Sequence, residues 1–207
     1  MSGLFITFEG GEGSGKTTIA KLIKDQLEKE GYQVTLTREP GGVDIAEKIR
    51  DVIVDVNNTS MDKKTEALLY AASRRQHLVE KVIPVLEKGG IVICDRFIDS
   101  SLVYQGIARG IGIDEVYEMN MFATENILPK RTIFFDIKPE QGLQRVYSNK
   151  DREVNRLDLE SLEFHQKVYD GYLTICEKYK DRIVKIDASL DIDSVFNQVL
   201  EKIKEVL

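Results

Sequence analysis

The residues best suited to do chemistry form one glycine-rich run near the start of the chain. Gly10–Thr17 reads GGEGSGKT and has the spacing G-x-x-x-x-G-K-[ST]. Glycines let consecutive backbone N–H groups curl around a phosphate, and the N-terminus of the following helix faces the same anion. We therefore expect Lys16 to reach the β- and γ-phosphates of a nucleoside triphosphate and Thr17 to bind Mg²⁺. The predicted triphosphate-binding residues are Gly10, Gly11, Glu12, Gly13, Ser14, Gly15, Lys16, Thr17 and Thr18.

An acidic residue and an arginine follow an apolar run in the middle of the chain. Ile91–Cys94 is uninterrupted by polar residues, and Asp95 and Arg96 come directly after it. Ligands gather at the carboxyl ends of the strands in an open α/β sheet. Asp95 could hold Mg²⁺ through a water molecule and Arg96 could clamp a phosphate, although a surface ion pair would give the same pattern.

Two short helical patterns bring together side chains that could bind a nucleotide. In a helix, Ser101, Tyr104 and Gln105 share one face and offer a hydroxyl, a ring and an amide, which suit a base edge and a sugar. Tyr70 and Arg74 combine a ring that can stack with a guanidinium that can bind phosphate bidentately. Taken alone, each pattern also fits an ordinary polar helix face or a core tyrosine beside a solvated arginine.

These residues need a scaffold, and strands alternate with helices along the whole chain. Five apolar runs are predicted as strands: 4–8, 33–37, 91–94, 132–137 and 183–186. Helical patterns lie between them; Pro84 should kink or break the long one over 62–87, and Asp114 should cap another. Since several strands are apolar on both faces, we predict an α/β, P-loop NTPase fold with a five-stranded parallel sheet and helices on both faces. The glycine-rich run then follows a strand and opens a helix, which argues against a chance match.

Length and composition indicate one domain with one mobile insertion. The 207 residues suffice for a single sizeable core, and the net charge of −6 argues against a general nucleic-acid binder. Two cysteines without CxxC spacing argue against a disulfide scaffold or a zinc site. No stretch approaches the ~20 apolar residues of a membrane span, and the first residues lack a leader pattern. We therefore expect a cytoplasmic protein with neither nucleic acid nor membrane as a partner.

A regulatory GTPase is the first alternative for a chain with this phosphate loop. It requires a D-x-x-G switch, and no aspartate here has a glycine three residues later. It also requires an N-K-x-D base reader, and Asn149-Lys150-Asp151 is one residue short of it. Both absences favour a small kinase.

Several segments make the kinase pattern specific. Residues 8–18 read FEGGEGSGKTT, residues 38–42 read REPGG, and residues 95–105 read DRFIDSSLVYQ. AASRR at 71–75 and NRLD at 155–158 follow in matching order and spacing. Together they resemble the signature of the thymidylate kinase family over nearly the whole chain. The resemblance implies Mg²⁺-dependent, in-line transfer of the γ-phosphate of ATP to dTMP, which gives dTDP for dTTP synthesis.

The resemblance implies roles for single residues in binding dTMP. Glu39 lies by the acceptor, and Pro40 follows it in a cis or extended X-Pro turn. The monophosphate is surrounded by three arginines: Arg50, Arg74 and Arg96. Tyr70, where the family usually has phenylalanine, stacks on thymine. The remaining contacts are Ser101 and Gln105 at the thymine edge and Tyr104 near the deoxyribose, where its ring disfavours a 2′-hydroxyl.

The implied chemistry needs cations rather than a general base, because the acceptor phosphate oxygen is already anionic near pH 7. His77 and His165 lie in no recognised motif and are expected to be structural or surface residues. Thymidylate kinases supply the arginine that reaches the γ-phosphate from either the P-loop or a lid. Since Glu12, Gly13 and Ser14 are not basic, the resemblance is to the bacterial type with basic residues in the lid.

The lid implied by the resemblance covers about residues 143–157 within the single domain. Its candidate cations are Arg145, Lys150, Arg152 and Arg156, with Arg145 and Arg152 leading; a solvated charged loop is the alternative. A closing lid would exclude water from ATP. The predicted catalytic residues are Lys16, Arg96, Glu12, Arg145 and Arg152. The resemblance also implies a homodimer.

Two other functions remain open from the sequence. A deoxynucleoside kinase acting on thymidine would use Glu39-Pro40 as its catalytic Glu-Pro, but a sugar hydroxyl requires a base and the arginines would be surplus. That family's usual tryptophan is absent, since this chain has no Trp. A nucleotide-binding switch that transfers no phosphate is disfavoured by the missing GTPase motifs.

Overall fold

The fold is built on a five-stranded sheet. The computed structural model describes residues 2–148 and 160–207. The strands are β1 (Leu4–Glu9), β2 (Val34–Arg38), β3 (Ile91–Asp95), β4 (Arg131–Asp136) and β5 (Ile183–Asp187), in the spatial order β2-β3-β1-β4-β5. Every adjacent pair is parallel, and the boundaries lie within one residue of those predicted. The predicted five-stranded parallel sheet is therefore confirmed.

Helices cover both faces of the sheet, because successive strand residues point to opposite sides. Phe5 belongs to the buried cluster on one face and Ile6 to the cluster on the other. The helices are α1 (Lys16–Lys29), α2 (Asp44–Val54), α3 (Lys63–His77), α4 (Ile83–Glu87), α5 (Ile98–Ser101), α6 (Ile113–Thr124), α7 (Pro139–Ser148), α8 (Leu162–Lys178) and α9 (Ile192–Lys204). None of these helices, which belong to the described ranges, combines the length and apolar content that a membrane crossing requires.

The helical pattern predicted over 62–87 is divided, as Pro84 led us to expect. Helix α3 runs into a π-helical segment, Leu78–Val82, and then into α4. Pro84 has no N–H to donate to the carbonyl four residues earlier, so the wider π turn precedes it. A second π-helical segment, Leu102–Ala108, continues α5 and was not predicted.

The expectation that Asp114 caps a helix is wrong. Helix α6 begins at Ile113, its N-cap is Gly112 with φ 122°, and Asp114 lies inside the first turn. The carboxylate there still favours the helix through the macrodipole. Pro139 opens α7 as predicted, and Asp62 caps α3 by accepting hydrogen bonds from the backbone N–H groups of Lys64 and Thr65.

The carboxyl ends of the adjacent strands β2, β3 and β1 bring the predicted site residues to one edge. In the sheet register Phe8 lies opposite Asp95, and Arg38 also lies opposite Asp95. The Arg96 N–H donates to the Phe8 carbonyl at 2.9 Å, and the Glu39 N–H donates to the Asp95 carbonyl at 3.0 Å. The phosphate loop, Glu39 and Arg96 therefore leave the sheet side by side.

Candidate active site

A cleft of about 750 Å³ opens at this edge of the sheet. It brings together residues that are far apart in the sequence. The predicted site residues that line it are Glu12, Gly13, Ser14, Gly15, Lys16, Thr17, Thr18, Glu39, Pro40, Arg50, Tyr70, Arg74, Asp95, Arg96, Ser101, Tyr104, Gln105 and Arg145. Gly10 and Gly11 are not part of the lining, but their carbonyl oxygens accept hydrogen bonds from Lys16 Nζ. Neither His77 nor His165 lines the cleft.

The phosphate loop holds its lysine inward. Lys16 Nζ donates to Gly10 O and Gly11 O at 3.0 Å and to Ser14 Oγ at 3.1 Å. Burial lowers the pKa of Lys16, and the positive charge of Arg96 lowers it further. Gly15, with φ 89°, is the N-cap of α1, so the N-terminus of this 14-residue helix faces the loop.

The loop also packs directly on helix α7 through two glycines. Gly13 has φ 69°, and a Cβ built on it would overlap the carbonyl oxygen of Gly142. A Cβ on Gly142 would in turn overlap the carbonyl oxygen of Glu12. The backbones can approach this closely only because neither residue has a side chain. Gly142 was not recognised from the sequence, since a single glycine in a helical pattern has no motif of its own.

Thr17 and Asp95 lie together at the floor of the cleft. The Thr17 hydroxyl donates to Asp95 Oδ2 at 3.0 Å, across 78 positions of sequence. A hydroxyl and a carboxylate are hard oxygen ligands of the kind Mg²⁺ prefers, and Mg²⁺ commonly keeps several waters beside one or two protein ligands. The pair that was predicted from two separate motifs therefore fits a magnesium site.

Arg96 stands at the centre of the cleft. Its backbone is left-handed, with φ 70°, which is uncommon for a residue other than glycine. Its guanidinium donates to Glu12 Oε1 at 2.6 Å and to Gly10 O at 3.2 Å, which ties it to the phosphate loop. It also donates to Ser100 Oγ at 3.4 Å and to the Tyr104 hydroxyl at 3.3 Å. Arg96 thus connects the phosphate loop with the helix predicted to bind the acceptor.

Glu9 binds the segment that directly follows Arg96 and was not among the predicted site residues. Its carboxylate accepts from the Phe97 N–H at 2.8 Å, the Ser100 N–H at 3.2 Å, the Ser100 hydroxyl at 2.5 Å and the Tyr172 hydroxyl at 2.9 Å. Burial raises the pKa of Glu9 to about 7, and the charge of Asp99 adds to the rise. The sequence signal that could have identified Glu9 is a carboxylate at the end of an apolar strand, directly before the glycine-rich run.

Arg74 is buried at the far end of the cleft, with 1% of its surface exposed. Its Nε donates to Glu39 Oε2 at 2.7 Å, one Nη donates to Ser101 Oγ at 3.0 Å and to Asn120 Oδ1, and the other donates to Phe97 O at 2.9 Å. An arginine has five N–H groups, so these four bonds leave one for a ligand. This arrangement suits a single acceptor atom and does not suit bidentate binding of a phosphate.

Both carboxylate oxygens of Glu39 also have partners within the protein. Besides the bond from Arg74, its Oε1 lies 2.8 Å from His77 Nδ1, and His77 Nε2 lies 2.7 Å from the Thr37 hydroxyl. The Glu39–Pro40 peptide bond is cis. His77 is therefore a buried partner of the site, in line with the expectation that it is structural.

Arg145 lies at the opposite end of the cleft from Arg74. Its guanidinium donates to Ala188 O at 3.1 Å and Ser189 O at 3.4 Å. Leu190 and Ile192, which follow these residues in the chain, also line the cleft. A guanidinium plane next to apolar side chains suits a flat aromatic ligand better than a phosphate. The other predicted lid cations, Lys150, Arg152 and Arg156, and residues 149–157 of the predicted lid, lie outside the described residues.

The comparisons with known proteins agree with one another. The family model described as thymidylate kinase matches residues 8–199. A thymidylate kinase of Bacillus velezensis is 59% identical over 207 residues, which cover 100% of this chain and 98% of the relative. One of Clostridium novyi is 58% identical over 197 residues, covering 95% and 96% respectively. A crystal structure of thymidylate kinase from Ehrlichia chaffeensis superimposes with a TM-score of 0.78 at 32% identity and covers 99% of both chains.

Proposed function

The chain belongs to the thymidylate kinase family, and we propose that its cleft transfers the γ-phosphate of ATP to dTMP, giving ADP and dTDP. The protein is an ATP-dependent nucleoside-monophosphate kinase. This assignment depends most on the position of Arg96. Its guanidinium donates to Glu12 and Gly10 of the phosphate loop, and also to Ser100 and Tyr104 of the helical segment proposed to bind the acceptor. A cation at this junction can contact both phosphates that react.

The acceptor phosphate is proposed to bind to Arg96 and Arg50. Arg50 lines the cleft and donates to Pro40 O at 3.3 Å. Catalysis then consists of alignment and charge neutralisation, because the acceptor oxygen attacks as an anion and no proton must be removed first. Glu12 keeps the Arg96 guanidinium next to the phosphate loop through the ion pair already described.

The base of dTMP is proposed to bind between Tyr70, Arg74, Ser101 and Gln105, with the deoxyribose beside Tyr104. We revise the predicted role of Arg74, because its single uncommitted N–H favours a base carbonyl over the phosphate. Burial raises the pKa of Tyr104 to about 12, so its hydroxyl is a neutral group beside the sugar.

ATP is proposed to bind along the phosphate loop with its adenine near Arg145. Lys16 and the backbone N–H groups of residues 10–18 bind the triphosphate, and Thr17 and Asp95 hold Mg²⁺. The magnesium ion, when bound, neutralises charge that develops on the transferred phosphoryl group. The walls beside Arg145, formed by Leu190 and Ile192, suit a purine ring.

The cation that reaches the γ-phosphate is proposed to come from the lid, about residues 143–157, with Arg152 as the leading candidate. Two observations support this proposal. The phosphate loop has no basic residue between Gly11 and Gly15, and Arg145 is bound to carbonyls at the other end of the cleft. Single-turnover measurements on Arg152→Ala test it, with Arg145→Ala as the comparison.

A deoxynucleoside kinase is a poorer fit for a specific reason. Glu39 would then have to take a proton from a sugar hydroxyl. Its side chain is only 2% exposed and is already paired with Arg74 and His77, so it has little capacity to act as that base.

We further propose a homodimer formed by α3 and α6 and a cytoplasmic location where ATP is supplied. The two helices pack against each other, and Arg75 on α3 reaches the Ala123 carbonyl on α6. Leu68, two turns before Arg75, is 59% exposed, and Phe122, next to Ala123, is 89% exposed. An apolar ring left in water at this site suits a contact with a second copy.

One assay tests the proposed function against its rivals. Mg-ATP is supplied with dTMP, thymidine, dUMP or no acceptor, and ADP is measured. We expect dTMP to stimulate ADP formation most strongly. Faster turnover with thymidine would support a deoxynucleoside kinase, and a rate that no acceptor increases would support a nucleotide-binding switch.

A further inference from the structure

A buried carboxylate fixes the orientation of the Gln105 amide. Gln105 Nε2 donates to Glu66 Oε1 at 3.0 Å, and Glu66 is only 2% exposed. The guanidinium of Arg109 also donates to this oxygen, at 3.4 Å, so Glu66 Oε1 is the acceptor in both bonds. An ionised carboxylate can only accept hydrogen bonds, so the amide must turn its NH₂ group, and not its oxygen, towards Glu66.

This orientation decides what Gln105 offers to a ligand. Gln105 lines the cleft, and no group among residues 2–148 and 160–207 donates a hydrogen bond to its Oε1. The amide oxygen is therefore the available atom, and Gln105 acts as a hydrogen-bond acceptor. Without Glu66, an amide can turn by a half rotation and present its NH₂ group instead, because the two orientations have nearly the same shape.

Arg74 supplies the complementary group. Its one uncommitted N–H is on Nη2, because both hydrogens of Nη1 are donated, to Ser101 and to Asn120. Arg74, Ser101 and Gln105 line the same cleft. An acceptor from Gln105 beside a donor from Arg74 matches a pyrimidine with an N–H at position 3 and a carbonyl at position 4. A pyrimidine with an amino group at position 4 has the reverse pattern, with an acceptor at position 3, and would leave buried polar groups unpaired.

We propose that Glu66 is a specificity-determining positioning residue, which makes the site select 4-keto pyrimidine nucleotides over 4-amino pyrimidine nucleotides by fixing the Gln105 amide. The inference rests on the proposed function, since it assumes that a pyrimidine monophosphate occupies this end of the cleft. In this scheme Glu66 does not touch the nucleotide, and it affects the choice of base through Gln105.

The test compares kcat/KM for dTMP, dUMP and dCMP in the wild type, in Glu66→Gln and in the control Glu125→Gln, an exposed glutamate that pairs with Arg75. The carboxamide at position 66 can donate or accept, so it no longer fixes Gln105. We expect the dTMP:dCMP ratio to fall by about tenfold or more in Glu66→Gln, while the dTMP:dUMP ratio stays within about twofold because both bases have the same edge. If dCMP turnover is too slow, its inhibition constant against dTMP gives the same comparison.

Three results would overturn the inference. The dTMP:dCMP ratio of kcat/KM could be unchanged in Glu66→Gln, or the dTMP:dCMP and dTMP:dUMP ratios could fall by the same factor. The third result is a dTMP:dCMP ratio that falls equally in the control Glu125→Gln. If Glu66→Gln does not fold, Glu66→Met also releases the amide and should lower the same ratio, since Arg109 keeps its 2.6 Å pair with Glu160. A wild-type protein that does not phosphorylate dTMP would overturn the proposed function itself, which separates the two failures.

Discussion

The Arg96 guanidinium lies 2.6 Å from Glu12 Oε1, across 84 positions of sequence. The two side chains are 18% and 16% exposed, so the pair is partly shielded from water. A carboxylate inside a phosphate-binding loop would repel phosphate unless its charge were neutralised, and Arg96 neutralises it. The pair therefore holds Arg96 against the phosphate loop, and in the proposed function Arg96 is the cation of the acceptor phosphate.

Replacing Glu12 with glutamine removes the charge and keeps the size of the side chain. Because a hydrogen bond between charged groups contributes about 1.5–3 kcal/mol, we expect kcat/KM for dTMP to fall by roughly ten- to a hundredfold. Steady-state kinetics with each substrate varied would measure this. The control is Glu28→Gln, an exposed residue of α1 paired with Lys24, which should have no effect. A change confined to the KM for ATP would contradict the role given to the pair.

Asp95→Asn should change the magnesium requirement. The asparagine oxygen can still accept the Thr17 hydroxyl, so the local structure is kept while one negative charge is lost. We expect the Mg²⁺ concentration that gives half-maximal activity to rise by about tenfold or more, the scale of effects seen when groups around a metal are changed. Titration of activity with Mg²⁺ at fixed ATP checks this. An unchanged Mg²⁺ dependence would remove Asp95 from the metal site.

Arg74→Ala should affect folding as well as binding. It leaves the buried Glu39 carboxylate without its guanidinium partner, and breaking a buried pair in this way costs about 3–5 kcal/mol of unfolding free energy. Denaturation by urea would measure the loss. As a surface comparison, Lys24 pairs with Glu28 on α1 at 32% and 42% exposure, so Lys24→Ala should change stability by less than about 1 kcal/mol. Similar losses in both variants would contradict the structural role of Arg74.

Glu9→Gln should change how stability depends on pH. The pKa of Glu9 is raised from its usual 4.5 to about 7, so between these values the folded protein holds a proton that the unfolded chain has released. Stability from this group is fully present below pH 4.5 and is lost as pH rises towards 7.

The difference in unfolding free energy between the wild type and Glu9→Gln should therefore shift in favour of the variant by roughly 2–3 kcal/mol from pH 4.5 to pH 8. If the altered hydrogen bonds of the variant lower its unfolding free energy by the same amount at every pH, the change of this difference with pH is unaffected. Urea unfolding at several pH values measures it, and Glu28→Gln is again the control. A difference that is flat across the window would show that Glu9 is ionised throughout.

Phe122→Asp should abolish the proposed dimer. Phe122 is 89% exposed on α6, and a carboxylate at an apolar contact would be buried without a partner. Light scattering should report a dimer for the wild type and a monomer for the variant. Leu207→Asp changes another exposed apolar residue, at the end of the chain, and should remain dimeric. A monomeric wild type at micromolar concentration would contradict the proposal.

The sheet and the phosphate loop could be predicted because their signals are local. Apolar runs bounded by glycines mark the strands, and the spacing from Gly10 to Thr17 is itself the requirement of phosphate binding. The pairing of Thr17 with Asp95 followed from the rule that strand ends converge.

Other parts of the site depend on contacts that no local pattern shows. Glu9 and Glu66 contact the site through buried partners that are distant in sequence, so their types and spacing carry no motif. Arg145 could be assigned to the lid by its position, but its bonds to the Ala188 and Ser189 carbonyls depend on how α7 packs beside the end of β5. The π-helical segment Leu102–Ala108 likewise depends on tertiary packing and was missed.

The contact between Gly13 and Gly142 limits how this active site can be altered, by engineering or by descent. An arginine placed at position 13 would drive its Cβ into a carbonyl oxygen of helix α7, in a backbone conformation that already disfavours side chains. A basic side chain at position 13 therefore cannot be gained by one substitution alone, because helix α7 would have to move away as well. If the lid supplies the cation as proposed, position 13 is closed as an alternative place for it in the phosphate loop.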